Sequence, residues 1–111
     1  MITEAEFRKK FLESTELIMD ISEFGIVPEE LFSQDVYDCL YFFKNRETAI
    51  NYVIEKYGCN FSEIDEQLHE CENDKKSGLD LPLSAQLNYD NLKDTHITEL
   101  NDGLWVLWIA Y

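Results

Sequence analysis

The sequence predicts an α+β domain that is mostly helical and ends in a β-hairpin. Through residue 74, apolar side chains recur at intervals of three and four, which is typical of helices that pack on a core. Near the C-terminus, Asp102-Gly103 lies between two β-prone runs, which is a strong local signal for a hairpin. The 111 residues, of which 45% are hydrophobic, fit one domain spanning residues 1–111.

The first predicted helix covers roughly residues 4–22. Thr3 and Glu6 form a T-x-x-E capping box at its start, in which each side chain can satisfy a free backbone N–H of the first turn. Gly25 is the predicted stop. The apolar residues that would form its buried side are Phe7, Phe11, Leu17, Ile18 and Ile21.

The second predicted helix covers roughly residues 28–43. Pro28 can open it, because a missing N–H costs nothing in the first turn of a helix. A break near Ser33 is compatible with the pattern. Its predicted buried side consists of Leu31, Phe32, Val36, Leu40 and Phe43.

Two further helices are predicted at roughly residues 46–57 and 61–74. The third has apolar residues from Ala49 to Tyr57 at helical spacing, and the fourth repeats them from Phe61 to Cys71. Their ends are marked by residues that typically cap or terminate helices, namely Asn45 or Arg46, Gly58 and Asn60.

The C-terminal third of the chain has a different predicted secondary structure from the rest. Residues 84–92 are predicted as a short helix, and residues 95–111 as the β-hairpin. In its last strand, Trp105 and Trp108 face opposite sides, so both can be buried only if both faces of the strand are covered. If the helices cover one face only, one tryptophan is left exposed for a partner.

The sequence offers no motif for catalysis or for binding a cofactor. It lacks a glycine-rich phosphate loop, a G-x-S-x-G nucleophile pattern and an H-E-x-x-H metal pattern. His69 and Cys71 stand two residues apart, but zinc sites use pairs of ligands and the chain has no C-x-x-C, so we expect no metal. Cys39 lies among large apolar residues and is interpreted as buried and inert. We therefore expect a protein that is not an enzyme and needs no cofactor.

The cysteines and the N-terminal residues indicate a compartment. Three cysteines at irregular spacing do not form a secreted disulfide framework. The first residues contain no apolar segment of the kind found in signal peptides, and the longest apolar run, residues 104–111, is too short to span a bilayer. We expect the cytoplasm.

The net charge narrows the choice of partner. With 23 acidic and 9 basic residues the chain carries a formal charge of −14. Proteins that bind nucleic acids need lysine and arginine to neutralise phosphates, so direct binding to DNA or RNA is not expected, and anionic membranes are disfavoured for the same reason. The charge favours a basic protein partner.

Two acidic stretches are candidate binding surfaces. No basic residue lies between Lys10 and Lys44, and the candidates in this stretch are Glu29, Glu30, Asp35 and Asp38. The second set recurs at intervals of three and four on the fourth predicted helix and would line one side of it: Glu63, Glu66, Glu70 and Asp74. Four tyrosines could either anchor a partner or belong to the core: Tyr37, Tyr41, Tyr52 and Tyr89.

In size, charge and the two acid-rich stretches, 13–38 and 63–74, the chain resembles small bacterial immunity proteins, particularly those of contact-dependent growth inhibition systems. The resemblance covers the whole chain and includes no diagnostic motif. It implies a dedicated toxin partner with a basic surface, often a nuclease, that is blocked at or near its active site. The alternative is an acidic nucleic-acid mimic of the phage type, which would occupy the groove of a DNA- or RNA-binding protein.

Overall fold

A five-stranded antiparallel sheet with the strand order β1-β2-β5-β4-β3 forms the centre of the fold. The computed structural model describes residues 3–78, 82–87 and 94–111. Within these ranges the strands are β1 (Ile18–Asp20), β2 (Val36–Phe43), β3 (Ser84–Leu87), β4 (Thr95–Glu99) and β5 (Trp105–Ala110). The helices are α1 (Glu4–Glu13), α2 (Arg46–Tyr57) and α3 (Phe61–Lys76), and Glu29–Leu31 forms one 3-10 turn.

The prediction of a mostly helical domain is wrong. Helices account for 41% and strands for 26% of the described residues, and the sheet is the element on which every helix packs. The hairpin predicted at residues 95–111 is correct, as β4 and β5, but three further strands extend its sheet on both sides.

The second predicted helix, 28–43, is mainly a strand. Its last eight residues form β2, which pairs with β1 on one side and with β5 on the other. A short apolar run of this kind fits a buried strand and a buried helix equally well by periodicity. The aromatic residues of β2 favour a strand, and hydrogen bonding along both of its edges stabilises it there.

The first predicted helix, 4–22, ends nine residues early. The predicted Thr3 cap is present, since its Oγ1 accepts a hydrogen bond from the Glu6 N–H at 3.2 Å. At the other end, the Lys44 ammonium donates to the Phe11 and Ser14 carbonyl oxygens and so satisfies the last turn of α1. The chain then continues into β1, which the sequence did not predict.

The third and fourth predicted helices are confirmed as α2 and α3. Asn45 and Asn60 cap them through their side-chain oxygens, and Gly58 ends α2 in the left-handed conformation with a φ of 69°. The short helix predicted at 84–92 is wrong over residues 84–87, which form β3, and residues 88–92 lie outside the described ranges.

The sheet is covered on both faces. Helices α2 and α3 pack on one face, where Trp105 and Leu107 belong to the core. Helix α1 and the segment from Ile21 to Leu31 cover part of the other face, around Val106 and Trp108. The two tryptophans are 1% and 4% exposed, so of the two alternatives for β5 the structure shows the one in which both faces of the strand are covered.

Side chains of α3 close the outer edge of β3. The Gln67 amide donates to the Gln86 carbonyl oxygen at 3.0 Å, and its own oxygen accepts from the Gln86 N–H at 2.8 Å. The Cys71 thiol donates to the Ser84 carbonyl oxygen at 3.4 Å. These bonds occupy backbone groups that an unprotected edge strand would offer to another chain.

Replacing Gln67 with alanine should therefore lower the free energy of unfolding by about 1–2 kcal/mol, because two partly buried hydrogen bonds are lost together. Urea denaturation measures this difference. The matched control is Gln34→Ala, at an exposed position, which should change stability by less than about 0.5 kcal/mol. Equal effects of the two substitutions would show that Gln67 does not support the edge.

Candidate functional site

Helix α3 presents a row of four carboxylates to solvent. Ile64 and Leu68 are buried in the core, and Gln67 is bonded to the edge of β3. This packing directs another side of the helix outward, and its four acidic residues, here called the acidic stripe, are all exposed: Glu63, Glu66, Glu70 and Asp74. Within the described part of the chain, no salt bridge joins a residue of the stripe to a basic side chain.

The acids on the opposite side of α3 are engaged within the protein. The Arg46 guanidinium contacts the Glu72 carboxylate at 2.7 Å. His69 lies 3.5 Å from Asp65 and 3.8 Å from Glu72. The hydrogen bond from Arg46 is the main cause that lowers the pKa of Glu72. The helix therefore has one flank on which Glu72 is paired with Arg46, and one flank, the acidic stripe, that forms no salt bridge with any described residue.

The candidates of the first acidic stretch are in different environments. Glu29 and Asp35 are exposed, and Asp38 is half-buried on β2 opposite Ile109. The side chain of Glu30 is only 7% exposed and lies in an ion pair, so its carboxylate is not presented to a partner.

The partner of Glu30 is Arg8, which connects three parts of the chain. Its guanidinium donates to both oxygens of Glu30 at 2.8 Å, and also to Asp102 and Glu4 at 2.8 Å. The Asn101 N–H adds a hydrogen bond to Glu30 at 2.7 Å. This group, here called the Arg8 clamp, ties α1 to the 3-10 turn and to the turn between β4 and β5. No local pattern in the sequence indicates this group, because Arg8 and Asp102 are 94 positions apart.

The Arg8 clamp should make stability depend on pH in the acid range. Burial tends to raise the pKa of Glu30, but the hydrogen bonds from Arg8 and Asn101 outweigh it, and the pKa falls below its ordinary value of 4.5. A carboxyl with a lowered folded-state pKa stabilises the fold above its unfolded-state value, and that stabilisation is lost as the pH falls through the folded-state pKa.

We therefore expect the free energy of unfolding to fall as the pH drops below about 4.5, and to fall less steeply in Glu30→Gln. Urea denaturation across this range provides the measurement. The exposed neighbour supplies the control: Glu29→Gln should keep the steeper pH dependence of the unmodified protein. Identical pH profiles for Glu30→Gln and Glu29→Gln would rule out the assigned role of Glu30.

A groove of about 410 Å³ lies on the face of the sheet opposite α3 and reaches α3 at Cys71, one helical turn from Asp74 of the acidic stripe. Cys71 of α3 lines it, and so do Glu30 and Asp35 of the first acidic stretch. The groove is bounded by apolar, aromatic and polar side chains that include Leu31, His96, Thr98, Trp108, Ala110 and Tyr111.

Trp108 and His96 form a fixed wall of this groove. Their rings stack with centroids 4.5 Å apart and an interplanar angle of 18°. The Trp108 indole N–H donates to the Thr98 hydroxyl at 2.9 Å, which holds the indole in place. Burial lowers the pKa of His96, which favours the neutral imidazole.

Two exposed tyrosines, Tyr37 and Tyr111, lie at this end of the sheet. Tyr111 is 81% exposed, and its ring meets that of Tyr37 edge to face with centroids 5.5 Å apart. Of the other candidate anchors, Tyr41 and Tyr52 are half-buried against the core, and Tyr89 lies outside the described ranges. Neither tryptophan is exposed, so the hypothesis of an exposed tryptophan on β5 is wrong.

The described residues contain no group of three or more His, Cys, Asp or Glu side chains placed to hold a metal ion. His69 is exposed, and Cys71 instead bonds to the β3 backbone. Cys39 is buried, and burial together with the nearby Asp38 raises the pKa of its thiol to about 12, so the thiolate form that a nucleophile needs is strongly disfavoured.

None of the helices in the described ranges combines the length and the apolar character needed to cross a membrane. No protein-family model matches the chain, and no curated protein or solved structure is significantly similar to it. The candidate surface is therefore defined by the chain's own residues: the acidic stripe and the adjoining groove.

Proposed function

We propose that this protein binds and neutralises a basic partner protein in the cytoplasm, acting as an immunity protein against a toxin domain, with a nuclease as the best-fitting toxin. It carries out no reaction of its own. The observation that supports this proposal is the acidic stripe, a row of four exposed carboxylates with no salt bridge to the described residues.

The stripe costs the helix some stability. Like charges three or four residues apart destabilise a helix by about 0.2–0.5 kcal/mol per pair, and no lysine relieves the repulsion before Lys75. An acidic surface that faces a basic one accelerates association and discourages wrong partners, which gives this arrangement a use. Nucleases present basic surfaces because they bind phosphate backbones, so they suit the stripe.

The same stripe supports a second candidate, a nucleic-acid mimic. Its carboxylates recur regularly over twelve residues of helix, a length of about 16 Å, and such a row of negative charge could replace phosphates in the groove of a DNA- or RNA-binding protein. The gene neighbourhood separates the two candidates, since a toxin gene immediately upstream supports immunity and a phage operon supports mimicry.

Isolation of the partner tests the proposal. The tagged protein is used to capture partners from its native host at low salt, and the gene of each captured protein is expressed with and without this chain. We expect a basic protein that arrests growth when expressed alone and is harmless when co-expressed. A captured partner that is acidic, or whose toxicity this chain does not relieve, would contradict the proposal.

Association with the captured partner should depend strongly on salt. Raising the ionic strength from low salt to about 0.15 M shortens the screening length to about 8 Å, so the association rate should fall about tenfold or more while the dissociation rate changes little. Stopped-flow or surface-based kinetics measure both rates. An association rate that is independent of salt would mean that the acidic residues do not guide binding.

A further inference from the structure

We propose that the groove beside the acidic stripe receives an arginine side chain of the basic partner, which lies between Asp35 and the aromatic rings at the C-terminal end of β5. This inference rests on the proposed function and adds to it the chemistry of one contact. The groove has a carboxylate on its rim and apolar and aromatic residues along its walls. This combination suits a side chain with an apolar stem and a charged planar end.

The size and rigidity of the groove fit such an occupant. Its volume of about 410 Å³ falls within the range of small-ligand sites, about 300–1,000 Å³, and leaves room for one long side chain and a little of its backbone. The deep wall is already formed, because Trp108 is 4% exposed and its N–H is bonded to Thr98. A preformed wall reduces the entropy lost on binding.

The charges around the groove favour a cation. Asp35 is exposed at the rim, and its backbone carbonyl accepts a hydrogen bond from the Tyr111 N–H at 2.9 Å, which fixes the two residues side by side. Behind them, Glu30 belongs to the Arg8 clamp, in which three carboxylates surround one guanidinium. None of the described residues that line the groove is a lysine or an arginine.

The aromatic residues favour arginine over lysine. A guanidinium is planar and weakly hydrated, so it stacks on an aromatic ring and donates two parallel hydrogen bonds to one carboxylate. The exposed ring of Tyr111, with Tyr37 against it, stands beside Asp35 and offers both contacts at once. An ammonium group could form the ion pair with Asp35 but would gain less from the ring.

The position of the groove connects it to the acidic stripe. Cys71 lines the groove, directly follows Glu70 in the chain and lies one helical turn before Asp74. A partner that contacts the Asp74 end of the stripe and extends around the outer edge of β3 can therefore place an arginine in the groove.

A peptide titration tests this inference without the partner. The probe is the blocked tripeptide acetyl-Gly-Arg-Gly-amide, added to the isotope-labelled full chain and followed by NMR. We expect saturable shifts at the Trp108 indole N–H, at Ala110 and at Tyr111, with a dissociation constant on the order of 1 mM. The same peptide with citrulline, which is nearly isosteric but uncharged, should produce no saturable shift.

Matched variants identify the contacts. Asp35→Asn and Tyr111→Ala should each weaken the peptide about threefold, as expected for an exposed ion pair and an exposed cation–π contact. Glu16→Gln removes the same charge as Asp35→Asn from an exposed site elsewhere and should leave the affinity unchanged.

Two results would overturn the arginine site: shifts confined to the acidic stripe with the groove signals unmoved, or equal binding of the arginine and citrulline peptides. Both leave the proposed function intact if a basic toxin is still captured and neutralised. A peptide that binds in the groove while no basic partner is found would instead support the site and count against the proposed function.

Discussion

Replacing both Glu66 and Glu70 with lysine should leave the protein folded and abolish binding of its basic partner. Both side chains are exposed, and exposed substitutions usually change stability by less than about 0.5 kcal/mol. Against a basic surface, however, like charges cost several kcal/mol, and each 1.4 kcal/mol is a factor of ten. We therefore expect the dissociation constant to rise about a thousandfold, measured by calorimetry with the captured partner, and the circular dichroism spectrum to remain unchanged.

The control for this variant makes the same change in net charge at a different place. Glu13→Lys combined with Glu16→Lys also reverses two exposed acids, at the end of α1 and in the segment that follows it. It should reduce the association rate through net charge alone, while the dissociation rate stays close to that of the unmodified protein. Equal losses of affinity in the two double variants would show that the partner responds to total charge and does not contact α3.

Replacing Arg8 with alanine should lower the free energy of unfolding by about 3–5 kcal/mol. The substitution leaves the Glu30 carboxylate, which is 7% exposed, without the guanidinium that pairs with both of its oxygens. Removing one partner of a buried ion pair typically costs this much, because the remaining charge stays away from water. Since domains of this size are stable by only about 5–15 kcal/mol, the variant should unfold at a much lower urea concentration.

Arg46→Ala provides the comparison for Arg8→Ala. Arg46 also contacts a carboxylate, Glu72, but both side chains of that pair are more than a third exposed. Exposed pairs contribute about 0–1 kcal/mol, so this variant should be nearly as stable as the unmodified protein. If Arg8→Ala proved no more destabilising than Arg46→Ala, the Arg8 clamp would not hold α1 against the sheet.

The parts of the fold that depend on local signals could be predicted from the sequence. The caps at Asn45 and Asn60 and the stop at Gly58 lie within a few residues of the helices they bound, and they located α2 and α3. The turn at Asp102-Gly103 located the β4–β5 hairpin in the same way.

The remaining strands depend on partners that are distant in the chain. Strand β2 pairs with β5, more than sixty residues later, and this pairing decides that its apolar run is a strand when the periodicity alone also fits a helix. Strand β1 has three residues and strand β3 has four, too few to show an alternating pattern. The additional strands of the sheet were therefore missed.

The same distinction between local signals and contacts of distant residues applies to the candidate site. The acidic stripe follows from helical spacing within one element. Its geometry could therefore be predicted as soon as the helix itself was predicted. The engagement of Glu30 by Arg8 and the groove between Asp35 and Cys71 arise only when remote segments meet in the fold. A residue's type and neighbours in the chain could not distinguish exposed Glu29 from buried Glu30 beside it.

Chemical labelling of carboxylates, with and without the captured partner, tests directly whether the acidic stripe is the binding surface. A carbodiimide and an amine modify each exposed acid, and mass spectrometry reports the extent of modification at every position. In the complex, Glu63, Glu66, Glu70, Asp74 and Asp35 should be protected, while Glu13, Glu16, Glu47 and Glu55 should be labelled as in the free protein. Full labelling of the stripe in the complex, with protection of the acids on α1 or α2 instead, would contradict the proposed binding surface.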